Sequence, residues 1–282
     1  MNARRWQNIK HELKENRFAL TAVIILVVFV LAAVFAFVLA PYDPNKIVVQ
    51  DRLQAPGATH LFGTDDYGRD YFSRALFGGR ISLLVGFLAM ILATGLGTAV
   101  GTISGYFGGK VDQILMRIVE ILMSIPSFLV MLILSVYLKP GIQNVIIIIG
   151  ALTWMNIARL VRAETLSVKE REYVLYAKVS GQSSFRIITM HIIPSILSTI
   201  IVAATINIAS AILMESTLSF LGLGIQQPES SWGSMLNSAQ GLISEAPHLA
   251  LFPGLFIFLT VLCFNVLGDV FRVAFEPKVN DR

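Results

Sequence analysis

A chain of 282 residues that is 55% hydrophobic and only 14% charged, with a mean hydropathy of +0.70, carries too much apolar side chain for a soluble domain and reads as an integral membrane protein. The single cysteine, Cys263, excludes a disulfide framework and a cysteine zinc site, and His11, His60, His191 and His248 lie too far apart for a metalloprotease motif. The net charge is only +4, so the placement of basic residues says more than their number.

The first predicted element is the apolar run 18–40, long enough at about 1.5 Å per residue to cross a hydrocarbon core of roughly 30 Å. Basic residues precede it, as in a signal peptide, but the run is too long and Pro41 directly follows the only small-residue site at 38–40. It is therefore expected to remain as a span. Five more spans are expected at about 80–106, 113–138, 142–160, 195–215 and 249–270. Six spans put both ends on one side. With the N-terminus inside, 16 Lys and Arg residues fall on that side and 6 on the other, so both termini are expected in the cytoplasm.

In the second span, Gly97, Gly101 and Gly105 form a small-xxx-small ladder on one helix face, which predicts close helix packing. Pro126 interrupts the third span and frees carbonyls that a neighbour, water or a solute path must satisfy. Glu120 and Glu215 lie near span ends, where a structural hydrogen bond is the expected role.

The longest inside segment, 162–194, has an unusual pattern for a connector. Tyr173, Val174, Tyr176, Ala177 and Val179 stand among charged neighbours, predicting a short helix with an adhesive face turned to the cytosol. Gly181 ends that helix, a second amphipathic stretch with Phe185, Ile187, Ile188, Ile192 and Ile193 follows, and Pro194 is placed to head the fifth span. Helix, glycine turn, helix and proline suit docking in another protein's groove.

This spacing resembles the cytoplasmic loop of ATP-binding-cassette (ABC) importer permeases, in which an E-A-A triplet, a glycine and an I-x-L-P sequence form the ATPase docking site. The matching positions are Leu175, Tyr176 and Ala177, then Gly181, then His191, Ile192, Ile193 and Pro194. Leu175 stands in place of the glutamate, Tyr176 of the first alanine, His191 of the isoleucine and Ile193 of the leucine. The external segment 60–86 is similar to the signature of the peptide and nickel branch of that family, with Gly63, Thr64, Asp65, Gly68, Arg69, Asp70, Ser73, Arg74 and Arg80 at fixed positions. Blocks at 215–236, 246–254 and 264–272 resemble the same branch in the same order.

The resemblance implies an all-α membrane protein with six transmembrane helices in the type I ABC importer permease fold. It divides into 1–79 (an inside segment, the first span and an external loop), a transmembrane domain 80–270 with docking loop 162–194, and a tail 271–282. It also implies a heterodimer with a homologous second permease in a bacterial cell membrane, two cytoplasmic ABC ATPase subunits, and an extracellular or periplasmic solute-binding protein. ATP and Mg would belong to the ATPase partners, leaving this chain without a cofactor, a metal, a catalytic residue or a nucleic-acid partner. Di- or oligopeptides are the expected cargo, with nickel or a metallophore as the alternative.

Asp65, Asp66, Arg69, Asp70 and Arg74 alternate in charge at helical spacing, so ion pairing that fixes an external cap on a solvated helix is expected, with direct solute contact the alternative. Leu218, Phe220, Leu221, Leu223, Trp232 and Met235 are too interrupted by Gly222, Gly224 and Pro228 for a span and suggest an interfacial or re-entrant segment. A membrane prenyltransferase would need a second acidic cluster facing Asp65, Asp66 and Asp70, and none is present. An ATP-independent secondary transporter would want an acidic residue near the bilayer midplane, where the spans offer only Asn207 and Thr205. The chain has no phosphate-binding loop, because Ser104 and Val111 occupy the required glycine and Ser/Thr positions around Lys110.

Overall fold

The computed structural model describes residues 16–275, and among these the secondary structure is helical, with one isolated bridge between Thr64 and Asp70. The main helices are α1 (Arg17–Val34), α2 (Tyr71–Phe107), α3 (Gly109–Met123), α4 (Ser127–Tyr137), α5 (Ile142–Val168), α6 (Glu172–Val179), α7 (Ser184–Phe220), α8 (Trp232–Ala239) and α9 (His248–Phe275). Five of them, α1, α2, α5, α7 and α9, are long and apolar enough to cross a membrane. The pair α3 and α4, bent by 77° where Pro126 breaks the helix, is apolar enough to count as a sixth when taken as one broken span.

Several helices overrun the limits that hydropathy suggests. Helix α2 starts at Tyr71, not near residue 80, because Asp70 caps it by accepting a 2.8 Å hydrogen bond from Ser73 N. The division at 79/80 therefore cuts a continuous helix, as does that at 270/271, since α9 runs to Phe275. Helix α5 continues past residue 160 to Val168. Residues 1–15 of the N-terminal segment and 276–282 of the tail lie outside the described residues.

Pro194 stands in the first turn of the α-helix Ile193–Phe220, as expected at the head of the fifth span, and the rod of α7 continues back from it to Ser184. A π turn at Ile188–Ile192 immediately ahead of it widens the helix where the proline ring would crowd the preceding turn. Ser195 Oγ donates a 2.6 Å hydrogen bond to the His191 carbonyl.

The seam of α2 with α5 is set by small residues. A Cβ on Gly97 would lie 2.8 Å from Trp154 O, on Gly101 2.6 Å from Ala158 O, and on Gly105 2.9 Å from Arg162 O, so the two backbones run side by side in the same direction. Helix α7 runs the opposite way against α2, with Ile212 filling the space over Gly86. Helices α1 and α9 close the other side, where Phe29, Trp232 and Phe256 pack edge to face or tilted.

The late apolar segment is not an interfacial loop throughout. Leu218 and Phe220 complete α7, while Trp232 and Met235 sit on α8 and are buried against Gly78 and Gly79. Trp232 Nε1 donates to Ala75 O at 3.0 Å, giving the indole a polar partner inside the packed end of the bundle.

Candidate functional site

The sites suggested by sequence fall at opposite ends of α2. At its C-terminal end stand α6 and the start of α7. Here Val174, Ala177, Ile187, Ile192 and Ile196 bury themselves against Ile157, Val161 and Val168 of α5. Val174 and Ala177 thus point inward, contrary to an adhesive face containing both. The outward face is Tyr173, Leu175, Tyr176 and Val179, joined by Phe185, with Tyr176 76%, Val179 87% and Phe185 77% exposed. So much uncovered aromatic and aliphatic side chain is gathered on one short helix and the start of the next.

The turn between these helices is defined by its hydrogen bonds. Gln182 N donates to Ala177 O at 3.2 Å and Gly181 N to Lys178 O at 3.1 Å, the pairing of a Schellman motif. It requires a left-handed residue, and Gly181 supplies φ +75°. Ser183 then caps the next helix by accepting from Arg186 N, and Gln182 Oε1 meets His191 Nε2 at 3.0 Å. Tyr173 Oη and Ser195 Oγ, 2.8 Å apart, tie α6 to α7 beyond the turn. Ile193 is partly buried at the edge of the same core, and Pro194 is exposed.

Two links were not legible in the sequence. Lys169 Nζ donates to Gly105 O at 2.9 Å, capping the C-terminal end of α2. Arg162 holds Asp112 with two hydrogen bonds, one of 2.6 Å from Nη2, while Ser104 Oγ donates to the same carboxylate. Both partners in each link are tens of residues apart, and only an excess of opposite charges on the facing helices could have hinted at them.

At the other end, the segment 41–70 folds over the start of α2. Asp65 is its centre: Oδ2 accepts 2.7 Å from Arg69 Nε and lies 3.5 Å from Arg74 Nε, while Oδ1 accepts from Tyr67 N and Arg69 N. Asp70 Oδ1 meets His60 Nδ1 at 2.8 Å, and Oδ2 accepts from Ser73 N and Oγ. Thr64 Oγ1 donates to Asp51 O and accepts from Gln54 N. These charges do not lie on a solvated helix. Asp65, Arg69, Asp70 and Arg74 are buried, the first three in a turn before α2, and burial together with neighbouring Asp65 pushes the Asp66 carboxyl above its usual range.

Glycines permit the close fit. A Cβ on Gly68 would run into Val48 O, and one on Gly63 into Gln54 O. Arg69 also donates to Gln227 Oε1 at 3.3 Å, joining this cap to the loop before α8, and the exposed Arg80 stacks 4.5 Å over Phe37. Beneath the cap, Glu215 is fully buried and accepts from Ser82 and Ser219 at 3.0 and 2.7 Å, while Ser82 Oγ also accepts from Trp232 N. Among the described residues, no three His, Cys, Asp or Glu side chains converge as metal ligands.

Comparison with known proteins extends over nearly the whole chain. Residues 97–281 match the family described as binding-protein-dependent transport system inner membrane component, and residues 4–56 match the N-terminal transmembrane domain of oligopeptide transport permease C. The dipeptide transport system permease protein DppC of Alkalihalophilus pseudofirmus is 42% identical over 274 residues, covering 97% of this chain and 90% of that protein. The oligopeptide transport system permease protein OppC of Bacillus subtilis is 38% identical over 274 residues, with 97% and 90% covered. The glutathione transport system permease protein GsiD of Escherichia coli O6:K15:H31 is 40% identical over 275 residues, with 97% and 91% covered. With five to six apolar crossings, this multi-pass inner-membrane chain belongs to the family of binding-protein-dependent transport system inner membrane components.

Proposed function

We propose that this chain is one permease subunit of an ABC importer for di- or oligopeptides. The observation that carries the reading is the identity of about 40%, along nearly the whole length, to permeases named for dipeptide, oligopeptide and glutathione transport. These relatives do not favour nickel or a metallophore as cargo. A second, homologous permease completes the path, a solute-binding protein delivers peptide to the capped end, and two ATPase subunits supply the energy. ATP and Mg belong to those subunits, and this chain carries no cofactor and no catalytic group of its own. Both termini and the α6 surface face the cytoplasm, as the excess of basic residues on that side supports.

In this reading the exposed Tyr173, Leu175, Tyr176, Val179 and Phe185 seat in an ATPase groove. The Schellman turn at Gly181 and the Gln182–His191 bond fix that surface to α7, so ATPase closure moves a membrane-crossing helix directly. The test is ATP-driven uptake of radiolabelled dipeptide by proteoliposomes holding this chain, its partner permease, the ATPases and the binding protein. Uptake is expected only with all four components, and the chain alone should bind no ATP. Nickel uptake without peptide uptake, or stoichiometric ATP binding by the isolated chain, would refute the reading.

A further inference from the structure

Between α3 and α5, in the part of the spans nearer α6, lies an open recess of about 630 Å³. Glu120 from α3 and Asn156, Arg159 and Arg162 from α5 line it, with Met116 and Leu160 as apolar wall. That size falls within the roughly 300–1,000 Å³ of small-ligand sites, and ionisable groups on membrane-crossing helices mark solute paths. The charges are not equivalent. Arg162 is already neutralised by its two hydrogen bonds to Asp112. Among the described residues Arg159 has no carboxylate within ion-pair distance, and its guanidinium reaches only the Met123 thioether, at 4.0 Å. Glu120 lies 3.4 Å from Arg117 one turn back, but both side chains are largely exposed and such a pair is weak. One helix thus brings an uncommitted cation to the recess, and the other an exchangeable anion.

We propose that this recess is a relay site for the transported peptide, in which Arg159 donates to the C-terminal carboxylate and Glu120 accepts from the N-terminal ammonium. The assignment rests on the peptide reading above and adds the residues and the chemistry of recognition. The termini are the only charges that all short peptides share, so a site with one group of each sign holds the zwitterion without reading its side chains. A guanidinium suits the carboxylate end because its planar fork makes two parallel hydrogen bonds, whereas an ammonium at that position acts as a point charge.

The experiment measures uptake of dialanine and of dialanine amide by the complete reconstituted complex, with Arg159→Gln, Arg159→Lys and Glu120→Gln, at saturating binding protein. ATPase activity is followed in parallel. The binding protein is identical throughout, so its own preference cancels when variants are compared with wild type. Arg159→Gln is expected to lower dialanine uptake about tenfold, bring the two peptides to similar rates and leave basal ATPase activity unchanged. Arg159→Lys should recover part of the loss, and Glu120→Gln should slow both peptides alike. A wild-type ratio of the two peptides in Arg159→Gln, or an equal loss for both accompanied by lost ATPase activity, would overturn the relay site while leaving the peptide permease intact. Failure of the wild-type complex to take up either peptide would instead overturn the peptide reading itself, and the relay site with it.

Discussion

Replacing Gly101 by alanine tests how the two longest-packed spans are held together. The added Cβ would lie 2.6 Å from Ala158 O and 2.8 Å from Val161 Cβ, whereas ordinary contact begins at 3.4 Å, so α2 and α5 must part by about 0.8 Å. A gap of that order forfeits roughly a quarter to a half of the dispersion energy at each seam contact, and overpacking of this kind costs about 1–3 kcal/mol. At about 2–4 °C per kcal/mol for a chain of this size, the midpoint of unfolding falls by roughly 2–12 °C. Gly95 provides the control, because it lies in the same helix with nothing within 4 Å of its would-be Cβ. Gly95→Ala gains the same helical propensity and should be neutral or slightly stabilising. Both variants are compared by tryptophan fluorescence during heating in lipid nanodiscs. If Gly101→Ala melts at or above Gly95→Ala, the close-packed seam is not what stabilises this pair.

A Cβ at Gly181 meets nothing within 4 Å, so the main cost of Gly181→Val is the left-handed backbone, about 1–2 kcal/mol; it should weaken ATPase co-purification and uptake at normal membrane abundance, with Gly181→Asn milder, and unimpaired uptake by Gly181→Val would contradict the coupling role. In a Cys263→Ser background, Glu229→Cys should react with an impermeant thiol reagent on intact cells and Ser183→Cys only after permeabilisation; both side chains are exposed, so the reverse pattern would invert the orientation. Asp66 has a carboxyl pKa raised by burial, so the folded chain loses stability as pH rises from the ordinary carboxylate value through the folded one. Asp66→Asn should therefore melt higher than the parent at pH 7, with the gap narrowing as pH falls toward 4; a gap that widens on acidification would refute the assignment.

The spans could be read from sequence because apolar runs such as 18–40 and 249–270 report directly on transfer into lipid. Their ends could not. Tyr71, Ser73 and Arg74 belong to α2 although hydropathy excludes them, since Arg74 is stabilised by Asp65 and Pro44, outside any local window. The turn at Gly181 and the proline in the first turn of the fifth span were legible because both are local events, whereas the π turn that joins Pro194 to the preceding helix has no simple sequence sign. The orientation of side chains on α6 was only half visible: Tyr176 and Ala177 are neighbours, yet about 100° of helical rotation sends one outward and the other into the core. Asp112 with Arg162, and Ser82 with Glu215, lie 50 and 133 residues apart, and chain folding alone brings them together.

The equal lengths of α2 and α7 have a mechanical consequence. Each has 37 residues, or about 55 Å of helix, against roughly 30 Å of hydrocarbon. The excess, about 25 Å, stands in headgroups and water, and there α2 carries the buried ion-pair cap at one end and the Lys169 bond at the other. The two antiparallel rods therefore behave as struts whose span is fixed by peptide geometry and not by the lipid. A thinner or thicker bilayer changes how much of each strut is wetted, but it leaves the spacing between the cap and the exposed α6 face unchanged.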